Sequence, residues 1–247
     1  MFKDYFSTQS KAYAGYRPRY PEPLYDYLES ITPVHGLAWD CATGSGQAAI
    51  ALAERFAPVI ATDASDQQLE QAQQQEGVEY RLAAVESGGL EEGSVDLISV
   101  AQALHWFNFD AFNREAQRVL KPTGVIAVWC YGLHRISPDV DAIVDEFYQN
   151  IVGEYWPPER LHIETRYCDI PFPFKDLPVP AFKMTAEWSL DELMGYLGTW
   201  SATQYYIQDK SSDPRGLIFT ALEKTWANPE GKYTVEWPLS MRIGTLC

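Results

Sequence analysis

The sequence predicts an α/β protein built on a doubly wound, mostly parallel sheet with helices on both faces. Between residues 37 and 131, apolar runs of strand length alternate with helical patterns, and this alternation is typical of a parallel sheet covered on both sides. A small-residue turn at residues 42–46 follows the first apolar run and leads into an alanine-rich helical pattern. This order of strand, tight loop and helix predicts a ligand crevice at the carboxyl edge of the sheet.

The chain is predicted to form one domain, residues 1–247, in four parts. Residues 1–36 are an N-terminal arm and helix, and residues 37–131 are the first half of the sheet. Residues 132–180 are a cap insertion, since their repeated prolines disfavour both helix interiors and central strands, and residues 181–247 complete the sheet. The seven predicted strands are 37–41, 58–63, 78–84, 95–101, 125–131, 181–188 and 232–243. The predicted helices are 46–56, 65–75, 108–120, 138–151, one opened by a Ser189–Glu192 capping box, and 213–227.

Composition excludes several classes of function. The net charge of -15 disfavours a nucleic acid or an anionic membrane surface as partner, because both bind clustered Lys and Arg. No run of about 18 apolar residues occurs. The four cysteines form no CxxC pair, which favours reduced thiols over a disulfide framework or a metal site. We therefore expect a cytoplasmic protein without metal, as a monomer or homodimer, that acts on a small molecule.

The glycine turn fits two kinds of nucleotide ligand. Gly44 and Gly46 allow positive φ and a close approach of the backbone to a ligand. Residues 44–49 satisfy G-x-G-x-x-A and Asp63 follows 17 residues after Gly46, a spacing expected of a ribose-binding acid for either a nicotinamide dinucleotide or S-adenosylmethionine. Asp40, just before the turn, would repel a pyrophosphate and attract a sulfonium and an ammonium group. Charge therefore favours the sulfonium ligand.

Four segments carry a resemblance to a known family. They are residues 40–46 (Asp-Cys-Ala-Thr-Gly-Ser-Gly), 63–65 (Asp-Ala-Ser), 94–107 and 118–124 (Arg-Val-Leu-Lys-Pro-Thr-Gly). In this order they resemble the class I S-adenosylmethionine-dependent methyltransferases, in a layout similar to the small-molecule (type 11) group that includes trans-aconitate methyltransferases. The resemblance implies a Rossmann-like fold with the cofactor on residues 37–131.

The sequence departs from the family pattern at two positions. Ala42 replaces the first glycine of the loop, which the turn tolerates if the φ of this residue stays negative. Ala84 and Val85 stand where the family has an acid and a small residue beside the adenine, with Glu86 next in the chain.

The resemblance implies a role for each site residue. Asp40 would lie near the ammonium group, Asp63 would bind the ribose, and Ala64 would pack on the adenine. Gln102 and Ala103 would lie beside the sulfonium. The remaining predicted cofactor contacts are the backbone of Ala42, Gly44 and Gly46, the adenine neighbours Ala84 and Val85, the wall residue Trp106, and Arg17 from an arm folded over the crevice.

His105 is the one candidate catalytic residue, either as a general base or as a group that orients substrate; a histidine packed under the next helix is the alternative. Methyl transfer mainly requires an acceptor atom held about 3 Å from the methyl group. A carboxylate acceptor is already ionised at pH 7 and needs only a cation, for which Arg17, Arg19 and Arg135 are candidates. A phenol or amine would need a base such as His105 or His134.

We expect transfer of a methyl group from S-adenosylmethionine to a small organic acceptor, preferably a carboxylate oxygen, which leaves S-adenosylhomocysteine. Two alternatives remain open from the sequence. One is an NAD(P)-dependent oxidoreductase on a Rossmann core, and the other is a binding module that holds the cofactor without catalysis.

Overall fold

The computed structural model describes residues 18–226, 228 and 231–247. Five parallel strands form the first half of an eight-stranded sheet and lie in the order β3-β2-β1-β4-β5. They are β1 (Ala38–Cys41), β2 (Val59–Asp63), β3 (Val78–Leu82), β4 (Val95–Ala101) and β5 (Leu120–Tyr131). The strand order reverses between β1 and β4, and open sheets of this kind bind ligands in the crevice outside that point.

The central strands are buried on both faces, as their continuous apolar runs predict. Every residue of β1 and β2 is buried, whereas β3 at the edge alternates between exposed and half-buried positions. The predicted doubly wound sheet is therefore confirmed. Within the residues described, no helix combines the length and the apolar character needed to cross a bilayer.

Four helices accompany this half: α1 (Glu22–Ile31), α2 (Gln47–Ala53), α3 (Asp66–Leu69) and α4 (Phe109–Val119). The predicted helix at 65–75 is wrong in its length. Ser65 caps α3 through its side chain, but the helix ends after one turn. Of the ten residues from 66 to 75 only Ala72 is buried, so a longer helix would have had no apolar face to pack against the sheet.

The second half of the sheet is antiparallel. β8 (Tyr233–Thr245) pairs with β5 along most of its length, and β6 (Lys175–Asp176) and β7 (Lys183–Trp188) pair with opposite ends of β8. The sequence predicted seven strands and a loop at β6. A strand of two residues is too short to show an apolar periodicity in the sequence. Only the pairing of β6 with Thr245 and Gly244 therefore defines this eighth strand.

The start of β5 also differs from the prediction. The sequence predicted this strand over residues 125–131, but it begins at Leu120, and its pairing with β4 shifts register between Val95 and Leu97. A Cβ on Gly124 would lie 2.9 Å from the Val95 carbonyl oxygen, so glycine allows the two backbones to approach.

The cap contains α5 (Pro138–Glu146) with a wide helical turn at Phe147–Ile151, short turns at Gly153–Tyr155 and Pro158–Arg160, and α6 (Leu161–Glu164). The later helices are α7 (Leu190–Gly198), α8 (Ser201–Lys210) and α9 (Gly216–Thr225). The predicted capping box is confirmed, because Ser189 and Glu192 exchange side-chain and backbone hydrogen bonds. Helix α8 was not predicted, because its apolar residues do not repeat at helical spacing.

An aromatic cluster joins the cap helices to β7 and β8, and it encloses His134. The imidazole centroid lies 5.5 Å from the Tyr196 ring, 5.8 Å from Trp237 and 6.3 Å from Trp200. Neither ring nitrogen has a hydrogen-bond partner in the described part of the chain, and His134 is 1% exposed. Burial, with a smaller contribution from Arg135, lowers the pKa of His134 to about 3. The structure thus places this histidine in the core as a neutral ring, which removes the reason to consider it a base.

Burial of His134 makes stability depend on pH. Its pKa in the folded state lies below the ordinary histidine value of about 6.5, so the unfolded chain takes up a proton that the folded chain does not as pH falls from about 6.5 towards 3. His134→Phe removes this contribution and should make the loss of stability over that range shallower in urea unfolding at a series of pH values. His35→Gln, on the surface, is the matched control. A slope equal to that of the unsubstituted protein would contradict the assignment.

Candidate functional site

Two neighbouring strands end in residues with left-handed backbone, and these residues define the crevice. Ala42 follows β1 with φ of 57°, and Gln102 follows β4 with φ of 56°. The condition of a negative φ for alanine at position 42 is therefore not met. The chain turns at this point in a conformation that glycine adopts freely and that costs an alanine about 1 kcal/mol. Such strained positions cluster at functional sites.

The glycine loop has the predicted geometry. Gly44 and Gly46 have φ of 57° and 84°. A Cβ on Gly46 would lie 2.2 Å from the Tyr80 hydroxyl oxygen, which itself donates a hydrogen bond to the Gln73 carbonyl oxygen. Position 46 therefore requires glycine both for its backbone and for the close approach of Tyr80 from β3.

Asp40 lies beneath this loop rather than on its surface. Its side chain is 1% exposed, and its two oxygens accept hydrogen bonds from Ser99 Oγ at 2.6 Å and from the Thr43 hydroxyl. Burial raises the pKa of Asp40 to about 6, although these two hydrogen bonds act in the opposite direction. The carboxylate is thus largely ionised at pH 7 and places negative charge under the loop. Its contact with an ammonium group stays a prediction.

Asp63 connects the exit of β2 to the same loop. Its Oδ2 accepts a hydrogen bond from the Gly44 amide at 2.8 Å, and its Oδ1 accepts one from the Ser65 amide at 2.9 Å. Ala64 follows at a half-buried position. Beyond β3, Ala84 is exposed and Val85 packs partly on the core. The parallel strands therefore bring these predicted residues to one edge of the sheet.

The Gln102 side chain joins the ends of β4 and β5. Its Nε2 donates to the Tyr131 carbonyl oxygen at 3.1 Å, and its Oε1 accepts from the Tyr131 amide at 2.8 Å. The side-chain amide is thus engaged with the backbone of β5. Ala103 follows and is buried. No pattern in the sequence indicated this bridge, because it depends on the alignment of two strands.

His105 lies in a short turn, Leu104–Trp106, next to Gln102. It is 5% exposed, its Nδ1 lies 2.9 Å from the Tyr167 hydroxyl oxygen, and its ring centroid lies 4.8 Å from that of Trp106. Burial raises the pKa of Tyr167 well above its ordinary value, while a hydrogen bond from the His105 backbone acts in the opposite direction. The phenol is therefore protonated at neutral pH and shares one hydrogen bond with the imidazole, whose direction follows from the histidine tautomer.

The environment of His105 bears on its two predicted roles. The ring is buried, and its Nδ1 is engaged by the Tyr167 hydroxyl. This contact holds the ring in a fixed orientation, and both roles, orienting group and general base, stay predictions. From the sequence, Tyr167 was expected only as one of the cap aromatic residues that could line an acceptor pocket, and its contact with His105 was not foreseen.

The predicted arginines do not all lie at the crevice. Arg17 lies outside the described residues, and Arg19 is exposed. Arg135 forms an ion pair with Asp145 at 2.8 Å. Arg160 lies nearer, since the turn Pro158–Arg160 of the cap rests against Leu104–Trp106. Arg160 stands at the end of the segment Trp-Pro-Pro-Glu-Arg, and it was not predicted as a site residue.

All four cysteines are free thiols, with Cys41 and Cys130 buried and Cys168 and Cys247 exposed. Within the described ranges, no three or more His, Cys, Asp or Glu side chains form a group that could hold a metal ion.

Comparison with known proteins identifies the fold and the family. A family model described as a methyltransferase domain matches residues 39–128. A protein of Dictyostelium discoideum, named as a methyltransferase, is 38% identical over 234 residues and covers 93% of this chain and 89% of its own length. Other curated relatives match over about half of their length, such as the methyltransferase cfoB of Aspergillus candidus at 30% identity, of which 51% is covered.

Solved structures agree with this assignment. A structure described as a type II methyltransferase from Anaeromyxobacter dehalogenans superposes with a TM-score of 0.88 at 43% identity, and the match covers 93% of this chain and 97% of that chain. A phosphoethanolamine N-methyltransferase of Haemonchus contortus, solved with S-adenosylhomocysteine, shares the fold at a TM-score of 0.50 and 15% identity over all of this chain and 60% of its own. The chain therefore belongs to the class I S-adenosylmethionine-dependent methyltransferases, with S-adenosylmethionine as its cofactor.

Proposed function

We propose that this enzyme transfers the methyl group of S-adenosylmethionine to a carboxylate oxygen of a small organic acid. The observation that supports the proposal is the cap turn Pro158–Arg160, which brings a guanidinium group against the exit of β4. A cation suits an acceptor that is already an anion and gives no help to one that must lose a proton. Carboxylates are ionised at pH 7, whereas phenols and amines hold their protons.

The residues at the crevice fit the cofactor. The backbone of Ala42, Gly44 and Gly46 would receive the methionine part, and the buried Asp40 supplies negative charge beside a ligand that carries a sulfonium and an ammonium group. When bound, S-adenosylmethionine supplies a methyl group on a good leaving group. The task of the protein is then to orient the acceptor and exclude water.

The other predicted residues have narrower roles in this proposal. Asp63 would bind the ribose, Ala64, Ala84 and Val85 would surround the adenine, and the backbone of Gln102 and Ala103 would lie near the sulfonium, with Trp106 as a wall. The products are a methyl ester and S-adenosylhomocysteine. No nucleic acid takes part, which the net charge of -15 supports. A cytoplasmic monomer or homodimer is part of the same proposal, and the four free thiols are compatible with that compartment.

A product screen tests the acceptor class. The enzyme is incubated with S-adenosylmethionine and matched sets of small acids, phenols and amines, and mass spectrometry detects products that gain about 14 Da, one methyl group in place of a hydrogen. We expect methyl esters, which mild alkali hydrolyses back to the acid. Products confined to phenols or amines would contradict the carboxylate acceptor.

An experiment can separate the proposed binding of the ribose by Asp63 from the contribution of Asp63 to loop stability. We expect Asp63→Ala to weaken binding of S-adenosylhomocysteine by about 1 to 3 kcal/mol, because hydrogen bonds to the ribose are lost. Isothermal titration calorimetry on the folded protein measures this change, and Asp66→Ala, on the exposed first turn of α3, is the matched control. A lower melting temperature with unchanged affinity would assign Asp63 to loop stability alone.

The backbone conformation of the glycine loop leads to a second prediction, about the residue at position 46. Gly46→Ala should lower the free energy of unfolding by about 1 to 3 kcal/mol and weaken S-adenosylhomocysteine binding, since it strains a left-handed residue and displaces Tyr80. Urea unfolding and calorimetry measure the two effects. Gly216→Ala is the control, because a Cβ there meets no atom within 4 Å. Equal behaviour of the two variants would refute the requirement for glycine at position 46.

A further inference from the structure

Arg160 carries a guanidinium group that the cap holds in a defined orientation. Its Nε donates a hydrogen bond to the Tyr148 hydroxyl oxygen at 3.0 Å. The guanidinium carbon lies 4.6 Å from the centroid of the Trp156 ring and 5.5 Å from that of Tyr148. Stacking and a hydrogen bond together restrict a side chain that otherwise has many rotamers, so part of the entropy cost of binding a ligand is already met.

The Tyr148 hydroxyl is itself oriented by a carboxylate. It donates a hydrogen bond to Glu164 Oε1 at 2.6 Å, and therefore receives the Arg160 Nε–H on its oxygen. Burial raises the pKa of Tyr148 to about 12, which keeps the phenol protonated. Glu164 thus fixes Arg160 indirectly and leaves the positive charge of the guanidinium unneutralised by direct contact.

Most of the other arginines in the described part of the chain form ion pairs. Arg55, Arg81, Arg118, Arg135, Arg215 and Arg242 each form ion pairs with carboxylates. For Arg160, the described residues provide no carboxylate within the 4.0 Å limit of an ion pair, and this includes its neighbour Glu159. Its two terminal nitrogens likewise have no hydrogen-bond acceptor in that part of the chain. A half-buried, oriented and unpaired guanidinium is suited to an anionic ligand.

The position of Arg160 places that charge at the reaction edge. The turn Pro158–Arg160 rests against Leu104–Trp106, which follows the end of β4 after two residues. Burial raises the pKa of Cys130 to about 12, and the charge of Arg160 is the largest opposing influence on this thiol near the end of β5. Arg160 also acts on the Tyr167 phenol that orients His105. Its field therefore reaches the carboxyl ends of both strands.

We propose that Arg160 binds the carboxylate of the methyl acceptor and determines the preference of the enzyme for acids. This inference rests on the proposed function, since it names the cation for the same acceptor site. The planar guanidinium can donate two parallel hydrogen bonds from its terminal nitrogens to one carboxylate, whereas a neutral amide of the same shape offers a single acceptor oxygen and no charge. Acid is thus distinguished from amide at this side chain.

The test uses the acid that yields the most methyl ester in the product screen, together with its primary amide. Binding of each to the complex of the full chain with S-adenosylhomocysteine is measured by calorimetry, and KM and kcat are measured for the acid. We expect the unsubstituted protein to prefer the acid, and Arg160→Gln to raise KM and the Kd of the acid about 10- to 100-fold while kcat changes less. The acid-over-amide preference should disappear, and Arg160→Lys should restore part of it.

Controls separate binding from folding. Arg114→Gln, an exposed arginine on α4, should leave both ligands unaffected. Tyr148→Phe retains the charge of Arg160 but removes the partner of its Nε, and should raise KM several-fold with S-adenosylhomocysteine affinity intact. This second variant also decides the question if Arg160→Gln does not fold.

The failures are distinguishable. If the unsubstituted enzyme forms no methyl ester, the proposed acceptor class and this inference are both wrong. If it forms the ester but Arg160→Gln keeps its acid-over-amide preference, or Tyr148→Phe has the KM of the unsubstituted enzyme, the assignment of Arg160 is overturned and the carboxylate acceptor stands.

Discussion

The buried carboxylate of Asp40 is the interaction on which the rest of the site depends. It is the last but one residue of β1, at the point where the strand order reverses, and it accepts hydrogen bonds from Ser99 on β4 and from Thr43 in the loop. Burial of a charged carboxylate is costly unless its oxygens are satisfied, so these hydroxyls hold the loop and the two strands together. The left-handed turns at Ala42 and Gln102 follow directly after these strands.

The same arrangement explains why a cationic cofactor suits this crevice. Negative charge beneath the loop is shielded from water, so it acts more strongly on a bound ligand than an exposed carboxylate would. Asp63 adds a second carboxylate at the neighbouring strand end, where it already holds the Gly44 amide. A diphosphate would meet both groups unfavourably, which agrees with membership in the methyltransferase family rather than with an oxidoreductase.

The cap supplies the opposite charge. Its turn Pro158–Arg160 and its buried Tyr167 meet the exit of β4, where His105 lies. Carboxylates lie near the ends of β1 and β2, and a guanidinium lies in the cap turn that contacts the exit of β4. In our proposals the carboxylates attract the sulfonium and the guanidinium binds the anionic acceptor, so this polarity aligns the two reactants without a base.

The sequence by itself determined the layered fold, the glycine loop, the carboxylates at the ends of the first two strands and the capping box, because each depends on residues close together in the chain. The tertiary structure alone decided the left-handed φ of Ala42, the Gln102 bridge to Tyr131, the pairing of β6 and the burial of His134. It also decided which arginine lies near the exit of β4. Arg135 forms an ion pair with Asp145, whereas the cap turn that ends at Arg160 contacts Leu104–Trp106. These features join segments distant in sequence, and no local periodicity encodes the contact between them.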